Sequence, residues 1–303
     1  MSAGTSSKSP PTASMQPAED RPLAAIGFVL LALLVFSAMD AISKLLVREY
    51  FPILIAWGRY AVNLALLIPF VLRAGAAPFA TAGLSMQVGR GIAMVCSAVF
   101  FMAGLAHLQI ADATSIAFVS PLIVTALSIP ILGERVGIRR WVAVVAGFLG
   151  ILIIIRPGSS AFDLASLYPL ASSACWAFGL VLTRRIGSRD SPLTTLFYTT
   201  VVAFLAVSLV LPWVWQPFSG QALALVATMG VLSTAGQYFL LLGYMRGPAS
   251  LLAPFSYTQI ISSTFWGAVL FDTLPGASTW IGAAVVVASG LYVLHRERVK
   301  RAK

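Results

Sequence analysis

The sequence predicts an all-α integral membrane protein whose ten transmembrane helices form two inverted five-helix repeats. Three observations predict it. First, Ala106 to Gly158 holds two uncharged apolar segments, Ala113–Leu132 and Trp141–Ile155, joined by GERVGIRR and closed by a Pro-Gly stop. The first has the roughly 20 residues needed to cross a hydrocarbon core of about 30 Å, so the pair reads as a transmembrane hairpin. Second, 59% of the residues are hydrophobic and 10% charged, with a mean hydropathy of +0.91, far outside the usage of soluble globular chains. Third, the basic residues collect on alternate loops, as the positive-inside rule requires.

Residues 1–22 are rich in Ser, Pro and Ala without an apolar period and read as a disordered cytoplasmic tail. The apolar run after them is too long for a signal-peptide core, lacks a small-residue cleavage site and is followed by further spans, so no cleaved leader is expected. Spans are placed at 24–46, 51–72, 88–107, 113–132, 141–155, 165–183, 193–215, 222–244, 249–271 and 277–294. The fifth is short, which asks Arg140 and Arg156 to snorkel to the headgroups. Residues 296–303 form a basic cytoplasmic tail. With the N-terminus inside, 16 Lys and Arg fall on the tails and even-numbered loops and three, Lys44, Arg48 and Arg156, on the other side. Both termini are then cytoplasmic. Trp141, Trp213, Trp215 and Trp280 fall at span ends and read as interface anchors.

The two halves, 23–158 and 159–295, align with each other. Ala106–Trp141 falls on Gly243–Trp280 at an offset of 138 to 139, with ADATSIAFVSPLIVT on ASLLAPFSYTQIISS, Gly133-Glu134 on Phe271-Asp272 and Trp141 on Trp280. A repeat with an odd number of spans inserts its second copy upside down, and the charges agree: loop 133–140 carries three Arg and FDTLPGAST carries none. This is the plan of secondary carriers, whose substrate site lies near the midplane between the halves.

These residues resemble the drug/metabolite transporter superfamily, specifically its ten-span EamA-like members. The likeness is strongest in ADATSIAFVSPLIVTALSIPILGERVGIRRWVAVVAGFLGILIIIRPG. It recurs in ASLLAPFSYTQ with FDTLPGASTWIGAAVVVASG, in FSAMDAISKLL and around Arg59. Phe271-Asp272 stands where a typical second repeat has Gly-Glu. The resemblance implies a carrier of small organic molecules in the bacterial inner (cytoplasmic) membrane, driven by an ion gradient or by exchange. Its cargo would be a vitamin, nucleoside, amino acid or S-adenosylmethionine-like compound. Uptake is the expected direction, with ion-coupled efflux of amino acids or drugs as the alternative. The expected partners are substrate, membrane lipid and a coupling proton or sodium ion, with a homodimer as a further option.

Candidate site residues follow from polarity inside the spans. Asp40 and Lys44 are four apart and share a helix face. They read either as a substrate-orienting or proton-coupling pair or as a fixed ion pair. Arg59 cannot be neutralised, and Asp40, read as the only carboxylate inside a span, is its natural partner; an anionic ligand group is the alternative. Asn63 lies one turn beyond Arg59 on the same face. In the ninth span Ser256, Gln259, Ser263 and Trp266 form one stripe, and the repeat offset carries it to a face of the fourth span with Thr125, Ser128 and, one turn earlier, Thr114. Pro121 and Pro254 interrupt these two spans, freeing backbone groups near the midplane. The stripes read as cavity lining, against the alternative of helix-packing polar seams. Trp176, Gln237 and Tyr238 are further candidates, against ordinary lipid-facing positions.

Other classes lack their chemistry. The basic residues sit in short loops, which reads as topology and anionic-lipid contact and argues against nucleic acid. Cys96 and Cys175 fall inside apolar segments and behave as small hydrophobes. His107 and His295 lie at span ends without a Cys, Asp or Glu cluster, so neither an intramembrane enzyme nor a metal or cofactor site is expected.

Overall fold

The computed structural model describes residues 22–133, 138–157, 163–186, 189–246 and 252–301. The disordered-tail reading of residues 1–21, the basic loop residue Arg135 and the final Ala302 and Lys303 lie outside them. Among the described residues the chain is helical with no strand. The longer helices of the first half are α1 (Pro22–Leu46), α2 (Pro52–Ala74), α3 (Leu84–Leu105), α4 (Ile110–Ala117), α5 (Ser120–Leu132) and α6 (Ile138–Ile155). Those of the second are α7 (Leu167–Ile186), α8 (Pro192–Val214), α9 (Gly220–Arg246), α10 (Thr258–Phe271) and α11 (Ala277–Arg301). Seven stretches are long and apolar enough to cross a membrane, one of them the combined α4–α5 stretch Ile110–Leu132; Trp141–Ile155 and Ala277–Tyr292 are shorter apolar helices. The chain is a multi-pass membrane protein.

Local chemistry places the ends. Pro52 and Pro192 open α2 and α8 at positions where a missing N–H costs nothing, and the Ser191 side chain caps α8 by accepting from Thr194 N at 3.0 Å. Gly133 ends α5 in the left-handed conformation (φ 69°), and Asp272, its counterpart at offset 139, ends α10 the same way (φ 50°). The left-handed cap of the second half thus falls one residue beyond Phe271, the residue aligned with Gly133, and Asp tolerates that conformation.

The fourth span is broken as Pro121 predicts, into two helices: the backbone turns at Phe118 (ψ 1°), just before Pro121, whose nitrogen has no proton for the Ala117 carbonyl. One expectation about it is corrected: it starts at Ile110 rather than Ala113, so Asp112 lies inside a span, and Asp40 is not the only intramembrane carboxylate. The ninth span is interrupted as Pro254 predicts, by the 3₁₀ segment Ala253–Tyr257 ahead of α10.

Packing between the halves is symmetric under their exchange. α1 packs on α9 as α7 packs on α3; α2 meets α9 as α8 meets α3; α2 meets α8, α4 meets α10, and α6 meets α11. α6 and α11 cross at Gly150 and Gly282, where each backbone lies against the other's carbonyl. Span ends sort onto two faces. On one, Arg246 lies over the Phe28 ring (4.9 Å) and Asp190 accepts from Ala82 N (2.8 Å), Thr81 (2.5 Å) and Gln87 (2.7 Å). On the other, Tyr50 Oη accepts from Ser219 N (3.0 Å), Thr279 donates to Asp112 (2.6 Å) and Arg156 donates to Ser278. The Asp190 bonds hold its carboxyl below the usual carboxylate range, the Ala82 N–H first among them.

Candidate functional site

The two broken helices meet each other. Phe118, at the joint of α4 and α5, lies against Tyr257, the last residue of the 3₁₀ segment before α10, with ring centroids 5.2 Å apart. Beside this joint two hydrogen bonds cross between the halves. Thr114 Oγ1 and Ser263 Oγ are 3.1 Å apart, both buried, and Gln259 Nε2 donates to Asp40 Oδ2 at 3.3 Å. The helix break accounts for the second bond: the 3₁₀ segment ends at Tyr257, so Gln259 stands in the first turn of α10, and α10 packs along α1 where Asp40 is.

Asp40 and Arg59 are both buried, 6% and 7% exposed. They attract each other electrostatically, yet no nitrogen of Arg59 comes within 4.0 Å of an Asp40 oxygen. The direct Arg59–Asp40 pair expected from the sequence is therefore not formed. Asp40 takes its hydrogen bond from Gln259 instead, while the Arg59 guanidinium lies over the Tyr60 ring at 4.7 Å and its Nε has no hydrogen-bond partner.

The remaining sequence candidates are placed elsewhere. Lys44 Nζ donates to the carbonyls of Leu105 (3.0 Å) and Leu108, stitching the C-terminal end of α1 to the end of α3 rather than pairing with Asp40. Asn63 bonds across to α9 at Ser233 and Thr234. With its amide turned it reaches the Gly230 carbonyl at 2.9 Å, and in either orientation it joins α2 to α9. Thr125 donates to the Pro121 carbonyl (3.0 Å) and Ser128 to the Thr125 carbonyl (2.8 Å), so both hydroxyls are consumed within their own helix. Ser256 is half-buried in the 3₁₀ segment. Trp176 (46%) and Tyr238 (58%) are exposed, as is Gln237.

Residues the sequence reading passed over also matter here. Tyr257 and Phe118 form the joint, and their adjacency to the two interrupting prolines is the signal that could have found them. Asp112 accepts from Thr279, which joins α4 to α11. Arg90, counted with the loop charges, enters α3 and donates from Nε to Thr183 (2.6 Å) and from its terminal nitrogen to Thr199 and the Thr195 carbonyl. Among the described residues no cluster of His, Cys, Asp and Glu has the makings of a metal site.

Comparison with known proteins adds a family and relatives. The model of the EamA-like transporter family matches the chain twice, at residues 23–156 and 164–294. The S-adenosylmethionine uptake transporter of Rickettsia felis is 26% identical over 276 residues, 91% of this chain and 94% of that one. The riboflavin transporter of Rhizobium johnstonii is 28% identical over 279 residues, 91% and 92% of the two chains. The pseudopaline exporter CntI of Pseudomonas aeruginosa is 29% identical over 269 residues, 86% and 93%. One solved crystal structure superposes with a TM-score of 0.63 at 18% identity, covering 91% of this chain and 99% of the other, which shows the same fold.

Proposed function

We propose, from the premise that this chain belongs to the EamA-like transporter family, that it is a secondary active carrier taking up a small organic metabolite across the inner membrane by alternating access. A metabolite transporter, not an enzyme, is what family and relatives support. The observation that carries the mechanism is the polar junction where the broken fourth and ninth spans meet, with Asp40–Gln259 and Thr114–Ser263 bonded across the halves. Charges inside a bilayer cost about 2.5–3.5 kcal/mol each on insertion scales and mark pathways when they persist. Here Asp40 and Arg59 stand at the interface of two exchangeable halves, where a rocking carrier exposes its site first to one side and then to the other. In this reading substrate displaces Gln259 from Asp40, and Phe118 and Tyr257 pack against it. Asn63 and Lys44 hold helices together, and the Thr125 and Ser128 hydroxyls bond within α5. Asp40, a carboxylate that can take a proton, is the coupling group if protons drive the cycle. The excess of Lys and Arg on one face supports cytoplasmic termini.

Uptake follows the relatives named as uptake and riboflavin transporters, and efflux is the second reading because the exporter relative is equally similar. Counterflow in proteoliposomes tests the class: a carrier preloaded with substrate accumulates labelled substrate transiently and saturates. Passive, non-saturating flux would mean a channel and would refute the carrier. Uptake driven by an imposed proton or sodium gradient of each polarity then assigns direction and ion.

A further inference from the structure

We infer that Phe271, held under Lys44 and Arg48, is the latch of the mouth between the ends of α1 and α10, and that the opposite mouth has no such latch. The inference rests on the carrier reading above and names the residues that set how readily one side of its site opens. With cytoplasmic termini, this is the outer mouth.

α1, α4 and α10 pack on one another, and the way from the Asp40–Gln259 bond to this face lies along them. Trp266 and Phe271 pack there against Ala41, Leu105, Ile110 and Ala113, which closes the way with apolar side chains. Phe271 is the last residue of α10, and two cations lie over its ring. Lys44 Nζ, from the last turn of α1, is 5.5 Å from the centroid, and the Arg48 guanidinium, just beyond that helix, is 4.9 Å from it. A ring face attracts a cation within about 6 Å. α1 belongs to the first repeat and α10 to the second, so the contact ties the halves together.

Three features make this a contact that opens rather than a fixed seam. The cations lose little when the ring leaves: Lys44 keeps the carbonyls of Leu105 and Leu108, and Arg48 is exposed. Each cation–ring contact then shifts an equilibrium by about 2- to 30-fold, which a transport cycle can reverse. The ring also rides on the helix that touches the site. Gln259 stands in the first turn of α10 and Phe271 at its end, about 18 Å apart at 1.5 Å per residue, with the 3₁₀ break at Ala253–Tyr257 just ahead. A substrate that draws Gln259 off Asp40 moves the same helix that carries the ring. Finally, basic residues on this side run against the positive-inside rule. The three counted there are Lys44, Arg48 and Arg156, and all three reach across to the second half, Arg156 by donating to Ser278 of α11.

The repeat offset of 138 carries Lys44, Arg48 and Phe271 to Leu182, Ile186 and Gly133. The equivalent mouth, between α7 and α5, is closed by Val124, Ala177 and Val181 with Ile131 and Leu132, and by one bond from Arg185 to the Ile131 carbonyl at 3.3 Å. Different forces shut the two mouths, so a substitution can bias one alone.

A thiol reads the passage. In the full chain with Cys96 and Cys175 replaced by serine, Ser263→Cys puts a reporter on α10 between Gln259 and Phe271. An impermeant maleimide is supplied from the side on which Gly276→Cys reacts. Phe271→Leu removes both contacts and should speed labelling about tenfold over the parent. Phe271→Tyr, which keeps the ring face, should label at the parent rate. Arg48→Met should speed labelling about threefold while Phe271 is present and not at all once it is leucine. A ring that only packs would not make the Arg48 effect depend on its own presence. Equal rates for Phe271→Leu and Phe271→Tyr, or an Arg48 effect that survives loss of the ring, overturn the latch; counterflow retained by the parent then leaves the carrier standing. A parent without counterflow overturns the carrier and the latch with it. Should Phe271→Leu fail to reach the membrane, Arg48→Met, at an exposed side chain, decides alone, and labelling at the parent rate overturns the latch.

Discussion

Replacing Gly282 by alanine tests the crossing that joins the last helices of the two halves. An added Cβ would stand 2.5 Å from the Gly150 carbonyl oxygen and 2.5 Å from Ile154 Cγ1, and a Cβ on Gly150 would stand 2.9 Å from the Gly282 carbonyl. Carbon–oxygen contacts between packed backbones run at about 3.3–3.6 Å, so α6 and α11 must part by about 0.8 Å at the crossing. Backbone cannot rotate out of the way, unlike a side-chain tip. Overpacking of this kind costs about 1–3 kcal/mol, and the better helix propensity of Ala returns up to about 1 kcal/mol. Gly282→Ala should therefore lower unfolding free energy by about 1–2 kcal/mol. Gly27→Ala, on an exposed face of α1 with nothing within 4 Å of its Cβ, should be neutral or stabilising by about 0.5–1 kcal/mol. Gly150→Ala and Gly282→Ala together should cost less than the two alone, because helices already parted by one methyl accept the second. Reversible unfolding in mixed micelles, followed by tryptophan fluorescence, measures all four variants. Gly282→Ala at or above wild-type stability, or strict additivity of the pair, would refute the close crossing.

Three further outcomes are expected. In a background with Cys96 and Cys175 replaced, a cysteine at Gly276 should react with an impermeant thiol reagent in intact cells, while one at Gly137, in the loop segment outside the described residues, should be shielded; the opposite pattern would invert the assigned topology. Gln259→Ala should raise the apparent KM with membrane abundance retained, whereas Thr125→Val, whose hydroxyl bonds its own helix, should leave KM unchanged; equal effects would return the Thr125 stripe to the substrate path. Asp190 has a depressed pKa in the folded chain, so its contribution is fully present above the unfolded value of about 3.9 and is lost as pH falls through the lower folded value. Asp190→Asn should accordingly be less stable than wild type at neutral pH and converge on it only in strong acid; a gap in melting temperature that stays constant down to pH 2 would show that the carboxylate charge is irrelevant.

The spans and their doubling were legible because each rests on a one-dimensional property: the length of an apolar run, the alternation of loop charge, and a fixed offset between similar segments. The site was legible only in part, because partner choice depends on how helices are rotated and broken, which spacing does not determine. Asp40 shows the difference. Its burial inside a span and its need for a partner follow from the sequence, and Arg59 is the partner that charge alone selects. The pairing made is with Gln259, because the 3₁₀ segment at Ala253–Tyr257 brings the first turn of α10 against α1. Likewise the offset that maps Gln259 onto Pro121 carries position, not role: in the first half the equivalent place is a proline, and the neighbouring Thr125 hydroxyl turns back to satisfy the carbonyl of that proline. Two related helices thus use the same break to opposite ends, one to present an amide to the other half and one to close its own backbone. A two-fold scaffold with an asymmetric site follows. Arg59 and Asp40, the two charges buried side by side in this region, both come from the first repeat.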